Sequence, residues 1–355
     1  MKIQGSLLKS NTKNILKMHL ILLISLLSIN FSNAQEILKI GIDEESNYKV
    51  LVATNRNINF QNDTTFIAEH HLNKTGTFSF LTANGSDKNW SYTMEDSFSS
   101  MFVQEFEYTD WLVFIHGDSK TLQTAVERAN EIQKLHNVNV LVYSWPSKDP
   151  EVSPFKNFKV SYSNVESGLP YFKDFLVMID ELKDALNNPF NDQNISLFLH
   201  SLGNYYLERM VKENLHKGLD EYLFDNLIIN AAAVEERGHE EWVEQLNFSR
   251  RIYINSNDDD FSLTGLRIIS PLGRQLGEGP RKNYAENAFY VSFTEAVGFP
   301  GSMGPSHSYY FASIPEKSQN IKAYYTGIFH GYEAQLDNNQ LFAHIPKQNS
   351  FSIIF

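Results

Sequence analysis

From Trp111 onward the chain alternates short apolar runs with longer segments that are apolar on one side only. Trp111–Ile115 is an unbroken apolar run, the pattern of a strand buried on both faces. Leu122–Leu135 then places Leu122, Ala125, Val126, Ala129, Ile132 and Leu135 at helical spacing, which predicts an amphipathic helix. Val138–Tyr143 predicts the next strand, stopped by Trp145-Pro146, and Asn164–Leu186 predicts a long helix after a loop. Further strands are expected at Ile195–Leu199, Leu227–Ala231, Arg251–Ile254 and, as the last, Phe289–Phe293. A short helical insert is expected around Val234–Leu246, and a terminal helix after a Gly/Pro-rich loop. Strands that alternate with helices imply a parallel sheet covered on both faces.

Residues 35–110 follow another rhythm. Ile37–Ile42, Lys49–Thr54, Gly76–Thr82, Trp90–Thr93 and Met101–Phe106 read as short strands separated by turn signals such as Asn84-Gly85-Ser86-Asp87. The expectation is an antiparallel edge leading into the main sheet. The fold class expected is therefore α/β: a mostly parallel twisted sheet, helices on both faces, antiparallel N-terminal strands, one domain over residues 35–355.

Composition agrees with a large core, at 42% hydrophobic and 13% aromatic residues. The formal charge of -12, with no Lys/Arg run after the first twenty residues, argues against a nucleic-acid partner. The N-terminus has the pattern of an export signal spanning residues 1–34. Lys2, Lys9, Lys13 and Lys17 precede the apolar run Leu20–Leu27, and Ser32-Asn33-Ala34 precedes Gln35 as a small-x-small cleavage site. The expectation is an exported chain, periplasmic or extracellular, with no integral span after cleavage. With no cysteine, it has no disulfides.

The chemistry centres on Ile195–Gly203. The apolar run ends in His200-Ser201-Leu202-Gly203, and a helical pattern starts at once. A strand that bends sharply into a helix at a serine presents the hydroxyl at the carboxyl edge of the sheet, an arrangement called a nucleophile elbow. A serine hydroxyl needs a base within reach, and the base needs an orienting acid. The base expected is His307, in Gly301–Phe311 after the strand Phe289–Phe293; His330, within the terminal helix pattern, ranks second. The acid is expected after Arg251–Ile254, where Asp258, Asp259 and Asp260 are adjacent; Asp258 is the first choice and Asp260 the second. A calcium loop there lacks the pattern's glycine and distal glutamate. The oxyanion donors expected are the amides of Leu202 and Asp118, the latter in the loop His116-Gly117-Asp118. The Asp118 carboxylate must then turn away, capping a helix that starts near Ser119, while His116 is read as structural. Pocket walls are expected from Ser147–Pro170 and Phe261–Asn283, with Tyr162, Phe172 and Phe175 lining them. No cofactor and no metal are called for.

Leu112–Gly117, Tyr143-Ser144-Trp145-Pro146-Ser147, Leu199–Asn204, Ser256-Asn257-Asp258 and His307-Ser308-Tyr309-Tyr310 occur in an order and spacing that resembles the α/β-hydrolase family catalogued as domain of unknown function nine-hundred. Val50–Arg56 is similar to the segment that opens that family. The resemblance covers roughly residues 49–325. It implies an α/β-hydrolase fold with Ser201, Asp258 and His307 as its triad, and no particular substrate. The sequence departs from the pattern at Leu199, where a small residue is usual, and at Asp118, where an aromatic is usual. The reading that follows is a serine hydrolase acting on small-molecule or lipid-like carboxylic esters. Its rivals are an amide or other acyl hydrolase, and a binding or scaffold protein that keeps the fold without the chemistry.

Overall fold

The computed structural model describes residues 36–41, 48–86, 89–269, 273–298, 306–346 and 349–354. The expected export segment and Gly301–Pro305 of the histidine loop lie outside these residues.

Among the described residues fourteen strands form one sheet: β1 (Ile37–Ile40), β2 (Lys49–Thr54), β3 (Arg56–Asn62), β4 (Thr65–Leu72), β5 (Ser79–Ser86), β6 (Asn89–Glu95), β7 (Trp111–Ile115), β8 (Asn139–Ser144), β9 (Ile195–His200), β10 (Phe224–Asn230), β11 (Ser249–Ser256), β12 (Ala288–Ser292), β13 (Phe342–His344) and β14 (Ser350–Ile353). Their spatial order is β13-β14-β12-β11-β10-β9-β7-β8-β2-β5-β6-β1-β4-β3. Every pairing from β14 through to β2 is parallel. The parallel block thus extends beyond the six expected strands, by β2 on one side and β14 on the other. Phe289–Phe293 is not the last strand, because β13 and β14 follow it. Met101–Phe106 is not a strand either; Ser99–Phe102 forms a 3-10 turn whose Met101 is buried.

The strand pleat divides the core in two. Trp111, Val113 and Ile115 face the long helix Pro154–Lys183 and the helix Gly203–Lys212, whose buried side chains include Phe172, Phe175 and Tyr206. Leu112 and Phe114 face the opposite layer, built by Leu122–His136 and Gln319–Phe329. Both faces of each central strand are therefore dry, which explains their unbroken apolar runs. The long helix begins at Pro154, ten residues before the expected start. Proline suits the first helical position, where its missing N–H has no partner to lose.

The order of the central strands fixes where a ligand can sit. β7 is followed in sequence by β8 on one side, and β9 then lies on the other side of β7. Connections leave β7 and β9 in opposite directions, so a crevice opens at their carboxyl ends.

Arg56, at the start of β3, is fully buried beside that crevice. Its guanidinium donates to Ser144 Oγ (3.2 Å), to the Lys120 carbonyl (2.9 Å) and to the Trp145 carbonyl. Burial pushes its pKa down to about 10, which leaves it charged at neutral pH. A buried network loses most when one member is deleted and its partners stay unpaired. Arg56→Met is therefore expected to lower the unfolding free energy by about 3 kcal/mol in urea titration.

Candidate functional site

Ser201 follows β9 directly and adopts a left-handed backbone, φ 54°. A non-glycine residue in that region is uncommon and marks a tight, over-determined bend. Here the bend is held from three sides. The Ser201 amide donates to the Asn230 carbonyl (3.0 Å), and its carbonyl accepts from the amides of Asn204 (3.1 Å) and Ala233 (3.2 Å). Asn204 Nδ2 donates in addition to the carbonyls of Leu199, Ser201 and Asn230. Leu199, where the sequence departs from the family pattern, is fully buried in the core beside the bend.

Two glycines let the neighbouring loop close on this bend. A Cβ at Gly203 would lie 2.8 Å from the His116 carbonyl oxygen and 2.9 Å from that of Ile115. A Cβ at Gly117 would lie 2.7 Å from Ser201 Cβ. The loop after β7 thus touches the serine with backbone alone. Among the described residues, the amides of Leu202 and Asp118 donate to no protein acceptor.

His307 Nδ1 donates to Asp260 Oδ2 at 2.6 Å. The carboxylate is fully buried, and its other oxygen accepts the amides of Ser262 (2.9 Å) and Leu263 (3.1 Å). Asp260 therefore caps the helix Phe261–Ile269 and fixes the imidazole, which leaves Nε2 turned away from the acid. Asn257 Nδ2 donates to the Ser306 carbonyl (2.8 Å), and the Phe261 amide donates to Ser306 Oγ (3.2 Å), which ties the acid loop to the histidine. The first-choice acid, Asp258, is corrected by this geometry. It is exposed and pairs with Arg274, not with the histidine.

Ser201 and His307 line one cavity of about 510 Å³. They make no direct hydrogen bond to each other. Such contacts are often long before substrate arrives. His200 lines the same cavity, its ring centre 4.7 Å from that of His307. Burial first, and His307 second, hold the His200 imidazole well below its usual range, so it stays neutral. Its Nδ1 accepts from Asn230 Nδ2 (3.2 Å), and Asn230 Oδ1 in turn accepts from the Tyr325 hydroxyl (2.6 Å).

Other expected residues fall in different places. Pocket walls come from Pro154, Phe155 and Phe158 of the long helix and from Leu263 and Leu266, within the two expected stretches. Phe172 and Phe175 are instead core residues packed on Tyr143, and Tyr162 stacks on Tyr205 outside the cavity lining. Asp118 does not cap a helix; Thr121 does. The Asp118 carboxylate accepts from Asn157 Nδ2 and Ser119 Oγ, both at 3.0 Å, and burial raises its pKa despite these bonds. His116 accepts from the Trp145 amide (3.2 Å) and stacks on that indole beneath the loop. His330 is bound to Asp110, at the amino end of β7, on the far edge of the sheet. Among the described residues no group of three or more His, Cys, Asp or Glu side chains could hold a metal ion, and no helix is long and apolar enough to cross a membrane.

The two aspartates should separate in stability. Asp260→Ala removes a helix cap and the histidine's partner, with an expected loss of about 2 kcal/mol in chemical denaturation. Asp258→Ala removes only an exposed ion pair, because Arg274 keeps its bond to the Gly279 carbonyl; a change within about 0.5 kcal/mol is expected.

A comparison with curated proteins finds no match. Residues 94–281, more than half of the chain, match a family model that includes Ser201 and Asp260 but ends before His307. With the sheet order, the bend at Ser201 and this match together, the chain belongs to the family described as alpha/beta hydrolase of unknown function (DUF900).

Proposed function

We propose that this alpha/beta hydrolase is a serine hydrolase that cleaves carboxylic esters through an acyl-enzyme on Ser201. The observation that carries the reading is the His307–Asp260 bond of 2.6 Å on the same cavity that Ser201 lines. His307 Nε2 takes the proton from Ser201 Oγ as the oxygen attacks the ester carbonyl. The amides of Leu202 and Asp118, without protein acceptors, receive the oxyanion. The imidazolium gives its proton to the departing alcohol. Water, deprotonated by the same ring, then releases the acid from Ser201. Asp260 keeps the tautomer that leaves Nε2 open and stabilises the charged ring. In this reading the chain acts outside the cytoplasm after loss of residues 1–34, supported by the lysines, apolar run and small-x-small site of its N-terminus.

A fluorophosphonate probe tests the assignment. Labelling of the wild type and none of Ser201→Ala is expected. Asp260→Asn should lower kcat on a p-nitrophenyl ester by about 10⁴-fold, with Asp258→Asn changing it far less. Absence of labelling in the folded wild type would leave a cavity protein without this chemistry.

A further inference from the structure

One wall of the cavity is cationic although the chain carries a formal charge of -12. Lys120 and Arg128 form that wall. Arg128 is fixed: its guanidinium lies 3.2 Å over the Phe311 ring, Nη1 donates to the Tyr310 hydroxyl (3.0 Å), and Glu131 stands 3.5 Å away on the exposed side. Lys120 is fixed only through its backbone, where the amide donates to Ser147 Oγ (3.0 Å) and the carbonyl accepts from Arg56 (2.9 Å). Among the described residues its ammonium has no ion-pair partner. The acid in the lining is Asp118, whose carboxylate is already bound by Asn157 and Ser119. The same cavity lining carries the apolar residues Pro154, Phe155, Phe158, Leu263 and Leu266.

We propose that Lys120, with Arg128, selects esters that carry an anionic group a few bonds from the scissile carbonyl, beside an apolar portion that lies on the phenylalanine wall. The proposal rests on the serine-hydrolase reading of the same cavity and narrows its substrate class. Its physical basis is a cation short of countercharge. Burial, and then the like charges of Arg128 and Lys148, lower the Lys120 pKa to about 8, while Glu131 and Asp118 only partly offset them. An anion placed there gains a charge-assisted hydrogen bond in a partly dehydrated site. A neutral ester of the same shape gains nothing from that wall.

Two matched pairs of substrates test this at pH 7 and fixed ionic strength. Mono-4-nitrophenyl adipate against 4-nitrophenyl hexanoate places the anion on the acyl side. 4-Acetoxybenzoate against phenyl acetate places it on the alcohol side. In at least one pair kcat/KM should favour the anionic member on the order of 10-fold. Lys120→Met should bring that ratio towards one, and Lys120→Arg should retain it. If Lys120→Met does not fold, Lys120→Gln gives the same ratio to compare with Lys120→Arg. Ratios at or below one in both pairs, or a ratio that the neutral replacement leaves in place, overturn the proposal alone. A labelled Ser201 with no turnover of either pair does the same. No turnover together with an unlabelled Ser201 overturns the hydrolase reading, and this proposal with it.

Discussion

The close approach of two backbones at the carboxyl end of the sheet is the constraint on which the site depends. The turn after β7 rests on the serine bend, and neither Gly117 nor Gly203 has room for a methyl group. Asp118 and Leu202 line the same cavity as Ser201. A strained backbone at Ser201 is tolerated there. Asn204, the Asn230 carbonyl at the end of β10 and the Ala233 amide surround the bend with hydrogen bonds, and a non-glycine residue at positive φ persists only under such over-determination.

A second layer of order lies beneath the imidazoles. His200, Asn230 and Asn255 sit level with one another on β9, β10 and β11. Asn255 Oδ1 accepts from the Tyr324 hydroxyl, and Asn230 Oδ1 from that of Tyr325. These polar groups are buried yet partnered, which a dry sheet permits only when the partners are built in. They couple the serine strand to the terminal helix that supplies both tyrosines.

Much of this arrangement was legible in the chain and some was not, for physical reasons. The parallel block was readable because strands buried on both faces leave continuous apolar runs. Ser201 was readable because a strand ended in a serine and a glycine with a helical pattern immediately after. The aspartate was not. Three adjacent carboxylates in a loop differ by direction, and direction comes from tertiary contacts. One signal was available: Asp260 directly precedes the apolar helix Phe261–Ile269, the place of a cap. Phe172 and Phe175 belong to an apolar helical stripe, and such a stripe more often faces a core than a pocket. The hairpin of β3 and β4 leaves no clear apolar alternation in the chain, because β3 is largely exposed and polar. Lys120 had no pattern to reveal it, since a single lysine after a serine carries no periodicity.

Arg56 ties the loops beside the cavity to a part of the chain that looks peripheral. It lies between β2 of the parallel block and the β3–β4 ribbon, and it donates to the carbonyls of Lys120 and Trp145. The segment that appears to be a preamble is thus an internal strut, inserted from the amino-terminal side into the middle of the molecule. A truncated version that begins at Trp111 would lack the strut, whereas a break in the exposed turn near Asp63 would spare it. Circular permutants opened at that turn keep the arginine on the same piece as β2 and preserve its reach.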